Sequence, residues 1–280
     1  MEESKWENLN LDCLVNIFGR RDVESLLLYV SLVCKQWHRA TLNPFCWQKL
    51  VFPLDISSSR LASAFGAGDS VNISRLIKFV VDRSPGCCSK IVLASVTTIA
   101  DLVYVSDVSP NLKTLVLPTD HSMLSDHGAT ISELIAKWKS LEVLESGKCS
   151  SMEKIIEQIG LYCKNFVGLS VAGAEIDHKV SVAIVSKHAG IKSLVLERIS
   201  INTALLTLIL GKCNELELLH VRNCTFTRFG FFDEEVDHYV SGIKDFQYQG
   251  NVTMPYDVLD LEDLRCLSEE VNAQESSEKS

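Results

Sequence analysis

From residue 88 onward the apolar positions form a short block, apolar-x-x-apolar-x-apolar, that returns at a nearly constant spacing. The blocks read Cys88-x-x-Ile91-x-Leu93, Leu112-x-x-Leu115-x-Leu117, Leu141-x-x-Leu144, Phe166-x-x-Leu169-x-Val171, Ile191-x-x-Leu194-x-Leu196, Leu216-x-x-Leu219-x-Val221 and Ile243-x-x-Phe246-x-Tyr248. Their first anchors lie 24, 29, 25, 25, 25 and 27 residues apart. Alternation inside each block predicts a short strand. The runs between blocks have helical character: Ile99 to Val105, Ile131 to Trp138, Met152 to Cys163, Val180 to His188, Ala204 to Cys213 and Val236 to Val240. Strand-helix units at one period stack side by side, because none can bury its apolar face alone. The expectation is a curved solenoid with parallel strands inside and helices outside.

The first fifty residues have a different pattern. After Asn10, a good N-cap, Leu14, Ile17 and Phe18 recur at i, i+3, i+4, with Asp12 in the first turn and Gly19 at the end. Asp22 can cap a second helix lined by Leu26, Leu27 and Val30. Val33, Trp37 and Ala40 (i, i+4, i+7) define one face of a third, which Asn43-Pro44 breaks near Thr41 or Leu42. Trp47 and Leu50 can then fold back on that face. Residues 53–68, with three consecutive serines and a small-residue stretch, read as a linker. The next helix carries Ile73, Leu76, Ile77, Val80 and Val81 as an amphipathic stripe that Asp82 to Gly86 closes.

These residues carry two family resemblances. Val33-Cys34-Lys35-x-Trp37, then Asn43-Pro44-x-x-Trp47-x-x-Leu50, with Leu9, Asp12, Leu14 and Ile17-Phe18 upstream, resembles an F-box from about Trp6 to Leu50. Asn10 departs from it, standing where the family usually has Pro. The repeat resembles the cysteine-containing leucine-rich repeat, which Cys213-x-x-Leu216-x-x-Leu219-x-Val221-x-x-Cys224 matches at every anchor. Cys163 and Cys149 match in part, Ser146 replaces an anchor, and the copies at 88 and 243 are degenerate.

Together they imply an α/β chain: a three-helix F-box over 1–52, a linker over 53–70, and a right-handed leucine-rich-repeat solenoid of about seven repeats over 71–256. An acidic tail without fixed structure is expected over 257–280. The resemblance, most similar to plant proteins, implies a substrate receptor of an SCF ubiquitin ligase. Leu9, Leu14, Ile17, Phe18, Val33, Cys34, Trp37 and Trp47 would bind a Skp-type adaptor and, through it, a cullin. The concave strand positions would hold an unidentified target protein, with Glu145, Ser170, Glu197, His220 and Arg222 as candidates, the last two foremost. The alternative is a leucine-rich-repeat scaffold or small-molecule receptor that acts without the ligase.

Composition narrows the partners. Of the formal charge of −9, residues 257–280 carry eight acidic and two basic side chains, hence −6. A chain with no concentrated basic face is a poor match for nucleic acid. No apolar run approaches the about 18 residues of a membrane span, and the start is acidic rather than signal-like. An intracellular, soluble protein of the nucleus and/or cytoplasm is expected, its ten cysteines serving as buried thiols. No CxxC pair, phosphate loop, GxSxG or HExxH occurs. Cys34 with His38, and His121 and His127 beside Asp120 and Asp126, read as packing and a polar connection rather than metal ligands. No cofactor, metal or catalytic residue is expected.

Overall fold

The computed structural model describes residues 9–56, 58–65, 73–119, 122–227 and 238–254. The tail at 257–280, Asp120 and His121 lie outside them. Three short helices build the front. Helix α1 (Leu11–Phe18) starts where the Asn10 side chain accepts from the Asp12 amide at 3.1 Å. Helix α2 (Val23–Leu28) starts where Asp22 accepts from the Ser25 amide at 2.7 Å. Helix α3 (Lys35–Thr41) ends before Asn43, whose side chain accepts from the Phe45 amide and opens a 3-10 turn over Pro44–Trp47. Trp47 folds back as the pattern predicts, its Nε1 donating to the Thr41 carbonyl at 2.7 Å.

Helix α3 departs from expectation at its start. A 3-10 turn over Val30–Leu32 and an extended Cys34 precede it, so Val33 does not share a helical face with Trp37 and Ala40.

The front does not stop at residue 52. Strand β1 (Lys49–Val51) pairs in parallel with β2 (Lys90–Val92), and the Ser89 amide donates to the Gln48 carbonyl at 2.8 Å. The expected linker also contains helix α4 (Arg60–Phe65), where Leu61 is fully buried and Arg60 stacks on the Tyr29 ring at 5.5 Å. Helix α5 (Ile73–Val81) buries all five residues of its predicted stripe.

The repeat blocks become strands β3 (Thr114–Val116), β4 (Val143–Ser146), β5 (Gly168–Ala172), β7 (Ser193–Glu197), β9 (Leu218–Arg222) and β11 (Asp245–Gln249). With β1 and β2 they form one eight-stranded sheet, ordered β1-β2-β3-β4-β5-β7-β9-β11 and parallel throughout. Leu50, Ile91, Leu115, Leu144, Leu169, Leu194, Leu219 and Phe246 stand in register along its inner row. All but Phe246 are buried; Phe246, on the end strand of the sheet among the described residues, is partly covered. Helices α6 (Ile99–Val108), α7 (Ser122–Asp126), α8 (Gly128–Ile135), α9 (Met152–Tyr162), α10 (His178–Lys187) and α11 (Thr203–Lys212) connect the strands and contribute to the same apolar core.

A second sheet was not anticipated. Strands β6 (Glu175–Ile176), β8 (Ser200–Asn202), β10 (Thr225–Thr227) and β12 (Val252–Met254) pair in parallel in the order β12-β10-β8-β6. The chain turns into each of them at a left-handed residue: Gly173, Arg198, Asn223 and Gly250, with φ of 63, 51, 54 and 67°. Glycine and asparagine adopt that region at little cost, whereas arginine is strained there.

The helix ends have a ladder of their own. Trp138, Cys163, His188 and Cys213 recur every 25 residues. Cys163 Sγ lies 3.3 Å from the Trp138 carbonyl, and Cys213 Sγ 4.0 Å from that of His188. Burial pushes these thiols up to about 11 and about 12 respectively, so they behave as neutral fillers.

Candidate functional site

Two surfaces stand out, and packing determines which side chains reach them. On the front module Leu14, Phe18 and Trp47 point inward and are almost completely buried. They hold the module together and present no surface, which corrects their expected outward role. Ile17 and Val33 are exposed, and Leu9, Cys34 and Trp37 are half-buried. The Trp37 ring tilts against Phe18 at a centroid distance of 5.0 Å, and Gln36 Nε2 ties the start of the module by donating to the Leu9 carbonyl at 2.8 Å. Trp37 Nε1 is buried with no partner among the described residues.

Sequence periodicity missed the most exposed member. Leu32 is 74 % accessible and Val33 57 %, because the 3-10 turn swings both out of the helical stripe. Tyr29, Leu42 and Phe45 are exposed as well. A module of this size that leaves so much apolar surface in water carries the physical mark of a docking surface.

The second surface is the concave face of the main sheet. Register places Glu145, Ser170, Val195, His220 and Gln247 in one row, and Ala172, Glu197, Arg222 and Gln249 in the next. The structure thus brings Glu197, His220 and Arg222 together and leaves Glu145 and Ser170 on β4 and β5. Arg222 Nη2 lies 3.2 Å from His220 Nδ1 and also donates to Gln247 Oε1. His220 Nε2 is 3.1 Å from Asp245 Oδ1, off the line of a hydrogen bond. Arg222 and His220 therefore belong to a network within the face. At Gly168 a Cβ would stand 3.1 Å from Val143 Cγ2, so the middle of the face stays shallow.

Among the described residues no group of three or more His, Cys, Asp or Glu side chains could hold a metal ion. Among them, too, no helix is long and apolar enough to cross a membrane.

Residues 6–53 match the F-box-like family, which covers the front module up to the end of β1. Three Arabidopsis thaliana proteins are similar over much longer stretches. F-box protein FBW2 is 27 % identical over 227 residues, 78 % of this chain and 68 % of that one. Putative F-box/LRR-repeat protein 22 is 26 % identical over 282 residues, 98 % of this chain and 86 % of that one. F-box protein SKIP19 is 25 % identical over 229 residues, 80 % and 70 % of the two chains. The outward apolar surface falls within the matched domain, and the parallel solenoid fills the rest of the aligned length. With that fold and those relatives, the chain has an F-box-like domain followed by a leucine-rich-repeat-like solenoid, and it is similar to F-box/LRR-repeat proteins of Arabidopsis thaliana.

Proposed function

We propose that this protein is the substrate-recognition subunit of an SCF-type ubiquitin ligase. Its front module docks on a Skp-type adaptor and so joins a cullin, while its concave face holds a target protein. The observation behind this reading is the set of water-exposed apolar side chains, Ile17, Leu32 and Val33, on a module that matches the F-box-like family. The module has already packed Trp47 and Leu50 against the solenoid core, so leaving Leu32 and Val33 in water brings its own fold no benefit. Covering them recovers roughly 25 cal/mol per Å² of apolar surface. The buried, unpartnered Trp37 Nε1 fits a surface completed by another chain.

No bond-making chemistry is assigned to this chain. A target held near a charged conjugating enzyme gains effective concentration, and that proximity is the whole contribution. The test is co-purification with a Skp-type adaptor. The wild-type chain should retain the adaptor, and Leu32→Asp combined with Val33→Asp should lose it without a change in melting temperature. Retention by that double variant would refute the docking surface.

A further inference from the structure

The end of the concave face beside the front module differs chemically from the end that carries His220 and Arg222. On the first two strands Lys49 stands in register with Lys90. Two positions further along the same strands, Val51, Val92 and Val116 form an outward row across β1, β2 and β3. Among the described residues neither lysine has a carboxylate within ion-pair distance. Like charges directly opposite each other weaken a sheet, so an anion laid over this pair is favoured. Beyond Lys49 the surface drops into a cavity of about 450 Å³ between α1 and the Pro44–Trp47 turn, lined by Arg20, Asn43, Phe45 and Lys49, with Asp12 also in its wall. Val15 and Gly19, also in its wall, each lie about 160° round α1 from Ile17. Val15 thus faces away from Ile17, while Asn16 in the same wall lies about 100° from it.

We propose that this groove binds an extended peptide segment of alternating acidic and aliphatic residues in the target. The two rows set the alternation. They are two residues apart along each strand, about 6.6 Å. Successive side chains of an extended peptide laid across the strands point to opposite sides. One side meets Lys49 and Lys90, the other Val51, Val92 and Val116, and the end of the segment reaches the cavity beside Arg20. Glu145, next in register after Val116, ends the valine row and so bounds the apolar side of the site.

This inference deepens the target-binding reading above by naming which end of the face takes the target and what it recognises. It is tested with the full chain and two short labelled peptides, one alternating glutamate with valine, the other lysine with valine, by fluorescence polarisation. The glutamate peptide should bind saturably and weaken as salt is raised. Lys49→Glu with Lys90→Glu should weaken it about tenfold and favour the lysine peptide instead. That variant replaces one pair of like charges by another, at the exposed Lys49 and the half-buried Lys90, and an unchanged melting temperature confirms its fold. Arg222→Ala should leave binding intact.

Equal affinity for the two peptides, or indifference to the double variant, overturns the proposal. The Leu259-Asp260-Leu261-Glu262 stretch alternates in the same way. Tighter peptide binding after removal of residues 255–280 would therefore make the chain's own tail the occupant and overturn the assignment to a target. Adaptor capture is measured on the same preparations. Its loss with peptide binding intact would defeat the ligase reading alone, and the converse would defeat this one alone.

Discussion

The front module and the repeats from 141 to 227 are built from similar residues, yet they treat water differently. Across the repeats the large apolar side chains left exposed are Leu161 and Tyr162, at the end of α9. The front, about half as long, exposes Ile17, Tyr29, Leu32, Val33, Leu42 and Phe45. Each repeat closes its apolar face against the next one, whereas the module has a neighbour on one side and solvent on the other. Burial in the repeats therefore reports on folding, and exposure in the module leaves apolar surface free for a partner.

The sharpest way to break that contrast is at the joint between them. Trp47 is buried, bonded to Thr41, and covered by the Arg83 guanidinium 5.3 Å from its ring. Trp47→Ala should cost about 3–5 kcal/mol in a denaturant titration followed by circular dichroism. A loss below about 1 kcal/mol would mean that the module does not share the solenoid core.

Next in size is the association side. The Leu32→Asp, Val33→Asp double variant should weaken adaptor capture by about 2 kcal/mol or more while shifting stability by less than about 0.5 kcal/mol. Leu161→Asp with Tyr162→Asp on α9 should leave capture unchanged. Equal losses from both pairs would dissolve the distinction.

Inside the repeats, His188 gives a pH test. Its Nε2 lies 2.9 Å from the Ile156 carbonyl, and burial holds its pKa below the ordinary histidine value. As pH falls from about 6.5 toward the lowered folded value, the unfolded chain takes a proton that the folded chain refuses. Stability should decline over that window, by at most about 1.4 kcal/mol per pH unit for one proton, and then level off. His188→Gln should flatten the slope; an unchanged slope would assign it to other groups.

The smallest effect concerns backbone strain. Arg198 occupies the left-handed position that glycine holds at 173 and 250. Arg198→Gly should raise stability by about 1 kcal/mol in a thermal melt. A loss would show that the arginine side chain offsets the strain.

Much of this architecture is legible in the amino-acid sequence. The Leu115, Leu144, Leu169, Leu194 and Leu219 anchors recur because each fills the same slot in the stack, so the sheet followed from spacing alone. Capping residues at Asn10 and Asp22 were equally legible, since each side chain acts on a backbone amide two or three residues away, whereas Asn43 was legible as a helix break and not as the cap it also is. What escaped depends on distant partners. Strand β1 is only three residues long, and nothing in Lys49-Leu50-Val51 announces pairing with residues 41 positions on. The second sheet hides in two- and three-residue strands, although Ile176, Ile201 and Phe226 keep the period of the main anchors. Helical spacing placed Val33 on a face with Trp37 and passed over Leu32, because a 3-10 turn does not obey that spacing. On the concave face an alternating pattern identified the outward side chains, but it could not tell that Arg222 and His220 bond to each other or that Lys49 stands beside Lys90.

Strand β1 belongs to both halves at once, and so it acts as a weld where a tether was expected. A tethered receptor would search a volume for its cargo's reactive amine; a welded one carries cargo and anchor at a set bearing, like two arms of one bracket. Reach is then decided by the arc of the sheet, and lengthening or shortening that arc by a single repeat would swing everything held on it.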